Sequence, residues 1–317
     1  MITIKDVAKE AGVSVSTASR ALNNNPRISA TTIEKVKKIA KKLDYKPNAS
    51  AKTLSLGKAN EIGVIYPVTA DEDPANPFHI DLMRGINTAL QLKNFVLSVA
   101  ICQTEEALLN NVKRMVEQSQ IHDFLLLYSK ADDVVTNYLR KQKLNFVIIG
   151  EPTNENDRFI DNDNILAGRE VTEFMLNQYN AKHPLFLRST YNWEYEKKRE
   201  LGYQQVMSTK SGSSPLIYKL EKNDNKVAID KYMKHHFEID AIIGADDIEL
   251  LSFYHLLKEN QHIKNIPAIC FNNSRLISLA GPTVNKVDLR PRELGKKAVE
   301  LLFDSELRKA TVGFDII

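Results

Sequence analysis

Apolar residues near the N-terminus recur at helical spacing. Ile4, Val7, Ala8 and Ala11 fall on one face of residues 4–11, the i, i+3, i+4, i+7 pattern of a short amphipathic helix. Gly12 follows, where a tight turn accepts a positive φ, and Ser14 stands where it can cap a second helix. Over residues 15–22 the pattern turns Ala18, Ala21 and Leu22 inward and leaves Val15, Ser16, Ser19 and Arg20 outward. A third helix is marked by Ile33, Val36, Ile39, Ala40 and Leu43, with Ser29 as its cap. Two short helices across a tight turn, braced by a third, make a helix-turn-helix. Pro47 ends the third helix, and Ala49, Ala51 and Leu54 are spaced for one more short helix before Gly57.

From Glu61 onward the pattern changes. Strand-like apolar runs are expected at Ile62–Tyr66, Phe95–Ile101, Phe124–Leu127, Phe146–Ile149, Leu185–Leu187, Leu216–Leu220, Ala241–Ile243 and Ala268–Phe271, with Val312–Ile317 as a last strand. Helix-length amphipathic stretches separate them, among them Asp81–Leu92, Glu105–Gln118, Ala167–Asn177, Tyr195–Met207 and Ile248–Asn260. Such alternation predicts an α/β fold of doubly wound parallel sheets. Two groups of four strands imply two lobes, with a break near Glu151-Pro152. The expected organisation is a head over residues 1–58 and a body over 59–317. Within the body, lobe 1 is expected at about 60–150 plus 284–304, and lobe 2 at about 151–283 plus 305–317.

Composition narrows the class. No stretch of the 317 residues approaches the roughly 20 consecutive apolar residues of a membrane helix. The N-terminus lacks a secretory h-region, and two cysteines suit a reducing cytosol better than a disulfide scaffold. The net charge of +3 conceals an asymmetry: through Lys58 there are twelve basic residues against four acidic ones, so the head is strongly basic and the body acidic. A basic head implies a polyanion partner for that part alone. A lysine-rich solvated helix from Lys35 to Lys42 would give the same charge.

The stretch from Thr3 to Asn23, TIKDVAKEAGVSVSTASRALN, resembles the N-terminal signature of the LacI/GalR family of bacterial transcription regulators. The match continues through Lys35-Val36, Leu43 and Tyr45-Lys46-Pro47-Asn48. The resemblance implies that Val15 and Ser16, which open the second helix, read base edges in the major groove, and that Arg20 contacts a guanine. An arginine fork suits guanine O6 and N7. It also implies that Ser14, Thr17, Ser19 and Asn23 hold phosphates, which set register without reading sequence. For Val15 the alternative is a packing contact inside the head. Residues 47–57 match the family's hinge helix, which folds on DNA: Leu54 would wedge into the minor groove, and Ala51 would sit where two hinge helices meet.

The body resembles the same family's periplasmic-binding-protein-like sensor, in which a small ligand sits between two lobes. Asn76-Pro77-Phe78 matches an N-P-F motif whose aromatic borders the pocket, and Asp163-Asn164 with Gly168 matches D-N-x-x-x-G. Arg199 to Tyr203 matches R-x-x-G-aromatic, whose arginine forks onto the ligand. Asp246 and Asn272, each just beyond a strand, match further pocket positions. Carboxylates, amides and an arginine fork suit sugar hydroxyls. Trp193, the only tryptophan, is placed to stack on a pyranose face or to stand as a rim aromatic.

The N-P-F motif with Phe271-Asn272-Asn273 is most similar to the maltose-operon-repressor branch, implying maltose or a maltodextrin as effector. No G-x-G turn, G-x-x-x-x-G-K-[ST] loop, G-x-S-x-G elbow or H-E-x-x-H helix is present, which argues against an enzyme. No cofactor and no metal are expected. The expected partners are double-stranded operator DNA, a sugar effector and a second copy of the chain, with no membrane. The expected action is cytoplasmic, nucleoid-associated repression relieved by sugar. A corepressor-dependent regulator, using a small molecule or a phosphorylated carrier protein, is the alternative.

Overall fold

The computed structural model describes residues 2–45, 60–68, 76–211, 214–221, 224–257, 266–279 and 284–317. The hinge positions Ala51 and Leu54 lie outside the described residues. The chain forms two compact units, Met1–Asn60 and Glu61–Ile317.

In the first unit, helices α1 (Ile4–Ala11), α2 (Val15–Leu22) and α3 (Ala30–Lys42) follow the periodicity of the sequence. Thr3 and Asp6 form a reciprocal capping box on α1, and Gly12 ends it at φ 67°, a conformation that costs glycine no Cβ clash. Ser14 and Ser29 accept the backbone N–H groups of Thr17 and Thr32, capping α2 and α3. The core is built mainly of small residues, with Val7, Ala8, Ala11, Ala18, Ala21, Val36 and Ala40 buried. Alanines let the three helix backbones approach closely, so eight-residue helices too short to persist alone are held by packing.

The second unit contains two six-stranded sheets. The first is built from β1 (Glu61–Ile65), β2 (Val96–Ala100), β3 (Asp123–Leu126), β4 (Asn145–Ile149), β5 (Phe159–Asn162) and β11 (Lys309–Val312), in the order β11-β5-β4-β3-β1-β2. Its helices are α4 (Pro77–Leu92), α5 (Glu105–Glu117), α6 (Val134–Lys141) and α12 (Pro291–Phe303). The second sheet is built from β6 (Pro184–Ser189), β7 (Leu216–Leu220), β8 (Ala241–Gly244), β9 (Ala268–Phe271), β10 (Val284–Asp288) and β12 (Asp315–Ile316), in the order β12-β10-β9-β8-β6-β7. It carries α7 (Asn164–Gln178), α8 (Glu194–Val206), α9 (Lys226–His235), α10 (Asp247–Leu256) and α11 (Arg275–Leu279). All pairings are parallel except β10 with β12. Along β6 the pleat sends Phe186 to the core beneath α7 and α8, and Leu185 and Leu187 to the opposite core beneath α9 and α10.

The sheets move the expected lobe boundaries. Residues 159–162 belong to lobe 1, not lobe 2; residues 284–288 belong to lobe 2, not lobe 1; and residues 309–312 return to lobe 1. The expected last strand, 312–317, is split, because the chain leaves the first sheet after Val312 and joins the second at Asp315. Strands β5 (FIDN) and β11 (KATV) are four residues long and only half apolar, so they leave little pattern to read. The three inter-lobe crossings meet at one side chain. The buried Asn162 amide donates to the carbonyls of Leu289, Val312 and Gly313 at 2.9–3.3 Å, one from the second crossing and two from the third, from its own position at the end of the first.

Both lobes use the same close helix crossing. In lobe 2, a Cβ at Gly168 would lie 2.2 Å from the Arg199 carbonyl oxygen, and one at Gly202 would lie 2.2 Å from the Ile165 oxygen. In lobe 1, Gly85 and Gly295 meet Arg292 and Leu82 in the same way, at 2.1 and 2.3 Å. A methyl group therefore meets backbone, which cannot rotate aside. Gly202→Ala is expected to destabilise the protein by roughly 1–3 kcal/mol, read from chemical denaturation. A loss below about 0.5 kcal/mol, ordinary for a surface change, would mean that α7 and α8 do not cross at this distance.

Candidate functional site

In the head, α2 presents its outward residues as the sequence pattern requires. Val15 is 43% exposed, so packing inside the head does not explain it. Ser16 and Arg20 are also exposed, and Arg20 makes no ion pair among the described residues. The Ser14 hydroxyl shares hydrogen bonds with Ser16 and Thr17 at 3.0 and 2.8 Å. The Asn23 amide donates to the Ser19 carbonyl at 3.0 Å, at the end of the same helix. Val15, Ser16, Arg20, Ser14, Thr17, Ser19 and Asn23 are thus gathered on one eight-residue helix and its two caps. One feature was not expected from the sequence: Asn24, at φ 55°, accepts a 2.6 Å hydrogen bond from Lys37, tying the loop after α2 to α3.

In the body, a cavity of about 570 Å3 lies between the lobes, within the range of small-molecule sites. Phe78, Trp193, Arg199, Asp246 and Asn272 line it, as expected from the sequence; Asp163 does not. Asp163 is exposed and accepts the Leu166 N–H at 2.9 Å as the cap of α7. The carboxylate that reaches the cavity is Asp161, two residues earlier and within β5. The correction follows from the unrecognised strand: Asp161 lies inside β5, whereas Asp163 lies past its end, where its side chain is used to cap α7.

Arg199 is the centre of the lobe 2 wall. Its guanidinium lies 4.7 Å from the Tyr195 ring centroid and 4.2 Å from that of Phe271, stacked between the two. Nε donates to Asn164 Oδ1 at 2.9 Å and Nη1 to the Ala245 carbonyl at 2.6 Å. The fork is therefore fixed by the protein through Nε and Nη1. Asn272, at φ 77°, donates to Asp246 at 2.9 Å and to Asp247 at 3.2 Å. Across the cleft, the Asn76 amide donates to Asp246 at 3.2 Å while its carbonyl oxygen caps α4 by accepting the Phe78 N–H. Phe78 packs against the cores of both lobes. Trp193 is half-buried at the start of α8, with its ring 6.2 Å from that of Tyr191.

His79, Tyr128, Asp133, Asp161 and Glu249 also line the cavity and were not found by sequence reasoning. His79 adjoins the N-P-F motif, and Glu249 follows Asp246 by less than one helical turn, which are the only local signals they carry. Burial pushes His79 down to about 4, leaving a neutral imidazole that both donates and accepts. Glu249 is pushed up to about 7, first by burial and then by the Glu196 charge. Asp246 is raised by burial and by its neighbours Glu249 and Asp247, and Asp161 by burial. This wall accepts and donates hydrogen bonds from fixed positions beside aromatic faces, which is what a polyhydroxylated ring requires.

Folded Glu249 binds a proton that the unfolded chain, at the ordinary value of 4.5, has released, so stability falls as pH rises from 4.5 through about 7. Glu249→Gln is expected to raise the melting temperature by roughly 2–4 °C at about pH 8 and to change it little near pH 4.5. Calorimetric melting at both pH values checks this, and a shift of equal size at both would separate the effect from ionisation.

The sequence profile of the lacI family of bacterial regulatory proteins matches residues 3–48. That of periplasmic binding proteins and the sugar binding domain of the LacI family matches residues 59–304. The HTH-type transcriptional regulator MalR of Staphylococcus xylosus is 33% identical over 308 residues, covering 95% of this chain and 90% of that protein. The crystal structure of a probable maltose operon transcriptional repressor malR from Staphylococcus aureus superimposes with a TM-score of 0.71 at 25% identity, covering 82% of this chain and 96% of that one. The Lac repressor dimer bound to operator and an anti-inducer shares the fold over 100% of this chain and 97% of its own, with a TM-score of 0.78 at 18% identity. Among the described residues no helix is long and apolar enough to cross a membrane. The helix-turn-helix head and the two-lobed body carry one conclusion: the chain belongs to the lacI family of bacterial regulatory proteins, and is a DNA-binding regulator with a sugar-binding domain rather than an enzyme.

Proposed function

We propose that the protein represses sugar-utilisation genes in the cytoplasm, binding a pseudo-palindromic operator as a homodimer and releasing it when maltose or a maltodextrin fills the cavity. The observation that carries the effector reading is the fixed Arg199 fork, stacked between Tyr195 and Phe271 in a cavity too large for one pyranose ring to fill. The similarity to MalR of Staphylococcus xylosus supports the choice of sugar. Val15, Ser16 and Arg20 read bases, while Ser14, Thr17, Ser19 and Asn23 hold phosphates. Ala51 and Leu54 supply the paired hinge and its minor-groove wedge. Phe78, Trp193, Arg199, Asp246 and Asn272 bind the sugar. A second copy is supported by exposed apolar residues on α4 and the β2 edge, Ile80, Leu92, Val96 and Ile101.

The effector must bind more tightly to the lobe arrangement that cannot hold both hinges on DNA. The Asn76–Asp246 bond spans the cleft, so a ligand that engages Asp246 acts on both lobes at once. The test is operator binding by the full-length chain, on duplexes enriched from a random library, with and without maltose and maltotriose. Release by either sugar supports the reading. DNA binding that appears only with an added ligand or phosphorylated carrier protein would overturn it in favour of a corepressor.

Two variants separate the sites. Arg20→Ala is expected to weaken the preferred operator by roughly 1–3 kcal/mol and to relax sequence choice at one position, measured by competition with operator variants. Unchanged preference removes Arg20 from base readout. Arg199→Ala is expected to bind the operator normally and to lose release by sugar; a variant that still releases removes Arg199 from the pocket.

A further inference from the structure

The cavity carries more acid than its cations can offset. Three lysines line it, and each is already paired: Lys130 with Glu105, Lys198 with Glu151, and Lys197 with Glu194 at 2.7 Å. Arg199, the remaining cation in the lining, spends Nε and Nη1 on Asn164 and the Ala245 carbonyl. Against it stand Asp133 and Asp161 from lobe 1 and Asp246 and Glu249 from lobe 2. Glu196 and Asp247, fully buried, lie behind the lobe 2 wall.

The donors that Asp133, Asp161 and Asp246 accept from are neutral N–H and O–H groups, so none of these three is paired with a cation. Glu249 Oε2 and Asp247 Oδ2 are buried without a hydrogen-bond partner. Asp246 accepts from Asn76, Asn272 and the Ile248 N–H, which are neutral donors. A wall of acceptors asks for hydroxyl donors. A phosphate dianion has no proton to donate and would add two negative charges where like charges already raise one another's proton affinity.

We propose that the cavity admits the sugar only in its uncharged form and rejects the same sugar once phosphorylated, with Asp246 and Glu249 as the residues that discriminate. The inference rests on the sugar-effector reading and deepens it. The signal the protein reports would then be free sugar, present before any kinase or phosphotransferase step acts on it. Phosphorylation of the sugar removes the signal without any change in carbon supply.

Titration calorimetry on the full-length chain, without DNA, tests this with maltose, maltotriose and maltose 6′-phosphate. The expected result is binding of the neutral sugars, with the phosphorylated disaccharide at least about a hundredfold weaker, as close like-charge juxtaposition implies. Measured at about pH 8, above the value to which folded Glu249 is raised, Glu249→Gln should narrow that gap by about tenfold, because there it removes one charge and keeps the shape, and Asp246→Asn should narrow it by relieving the shared acid cluster. Binding of the phosphorylated form as tightly as maltose, or more tightly, overturns the inference while leaving the sugar reading intact. A wild-type gap that neither variant narrows overturns the role of the two carboxylates. Failure of all three sugars to bind overturns the sugar reading, and this inference falls with it.

Discussion

The sensor depends on helices that cross at glycine. Gly168 and Gly202 let α7 and α8 approach until the backbone of one meets the missing side chain of the other. That distance brings Asn164, in the first turn of α7, to the guanidinium of Arg199 on α8. Without the close approach the fork would lose its Asn164 bond and be held only by the Ala245 carbonyl and the two flanking rings. The same device recurs in lobe 1 at Gly85 and Gly295, where α12 is laid against α4 after the chain has visited the second lobe. Two glycine pairs thus set the packing on which each wall of the cavity stands.

The second constraint is the narrow waist between lobes. Three chain crossings carry no sheet of their own, and Asn162 ties carbonyls of two of them from the end of the remaining one. A buried amide with three acceptors is fully used and costly to displace. The waist therefore joins the lobes at one point, apart from either hydrophobic core. Asn76 and Asp246 form a contact across the cleft that lines the same cavity. In the proposed mechanism the waist is where local sugar contacts would become a rotation of one lobe against the other, the hinge closure open to a two-lobed protein.

Charge serves the two units in opposite ways. The basic head leaves Arg20 exposed and free of ion pairs among the described residues, ready for a polyanion. The body keeps its cavity acidic and its lysines paired, which favours hydroxyl donors over anions. Net charge for the whole chain, at +3, describes neither.

Much of the head was legible in sequence because its determinants are local. The spacing of Ile4, Val7, Ala8 and Ala11, the caps Ser14 and Ser29, and Gly12 at its turn lie within one or two helical turns of what they control. The eight strongly apolar strands of the body were legible for the same reason. Strands β5, β10 and β11 were not, because each is part polar and carries no continuous apolar run, and β11 is held by β5 across about 150 residues. The pairings of these strands moved the lobe boundaries, and Asp161 within β5 lines the cavity where Asp163 was expected. Motifs located Phe78, Arg199, Asp246 and Asn272, since each adjoins a recognisable turn or strand end. His79, Tyr128, Asp133 and Glu249 became site residues only when two lobes closed around a common space. Their altered proton affinities come from burial and from charges brought together by folding, quantities that exist only in three dimensions.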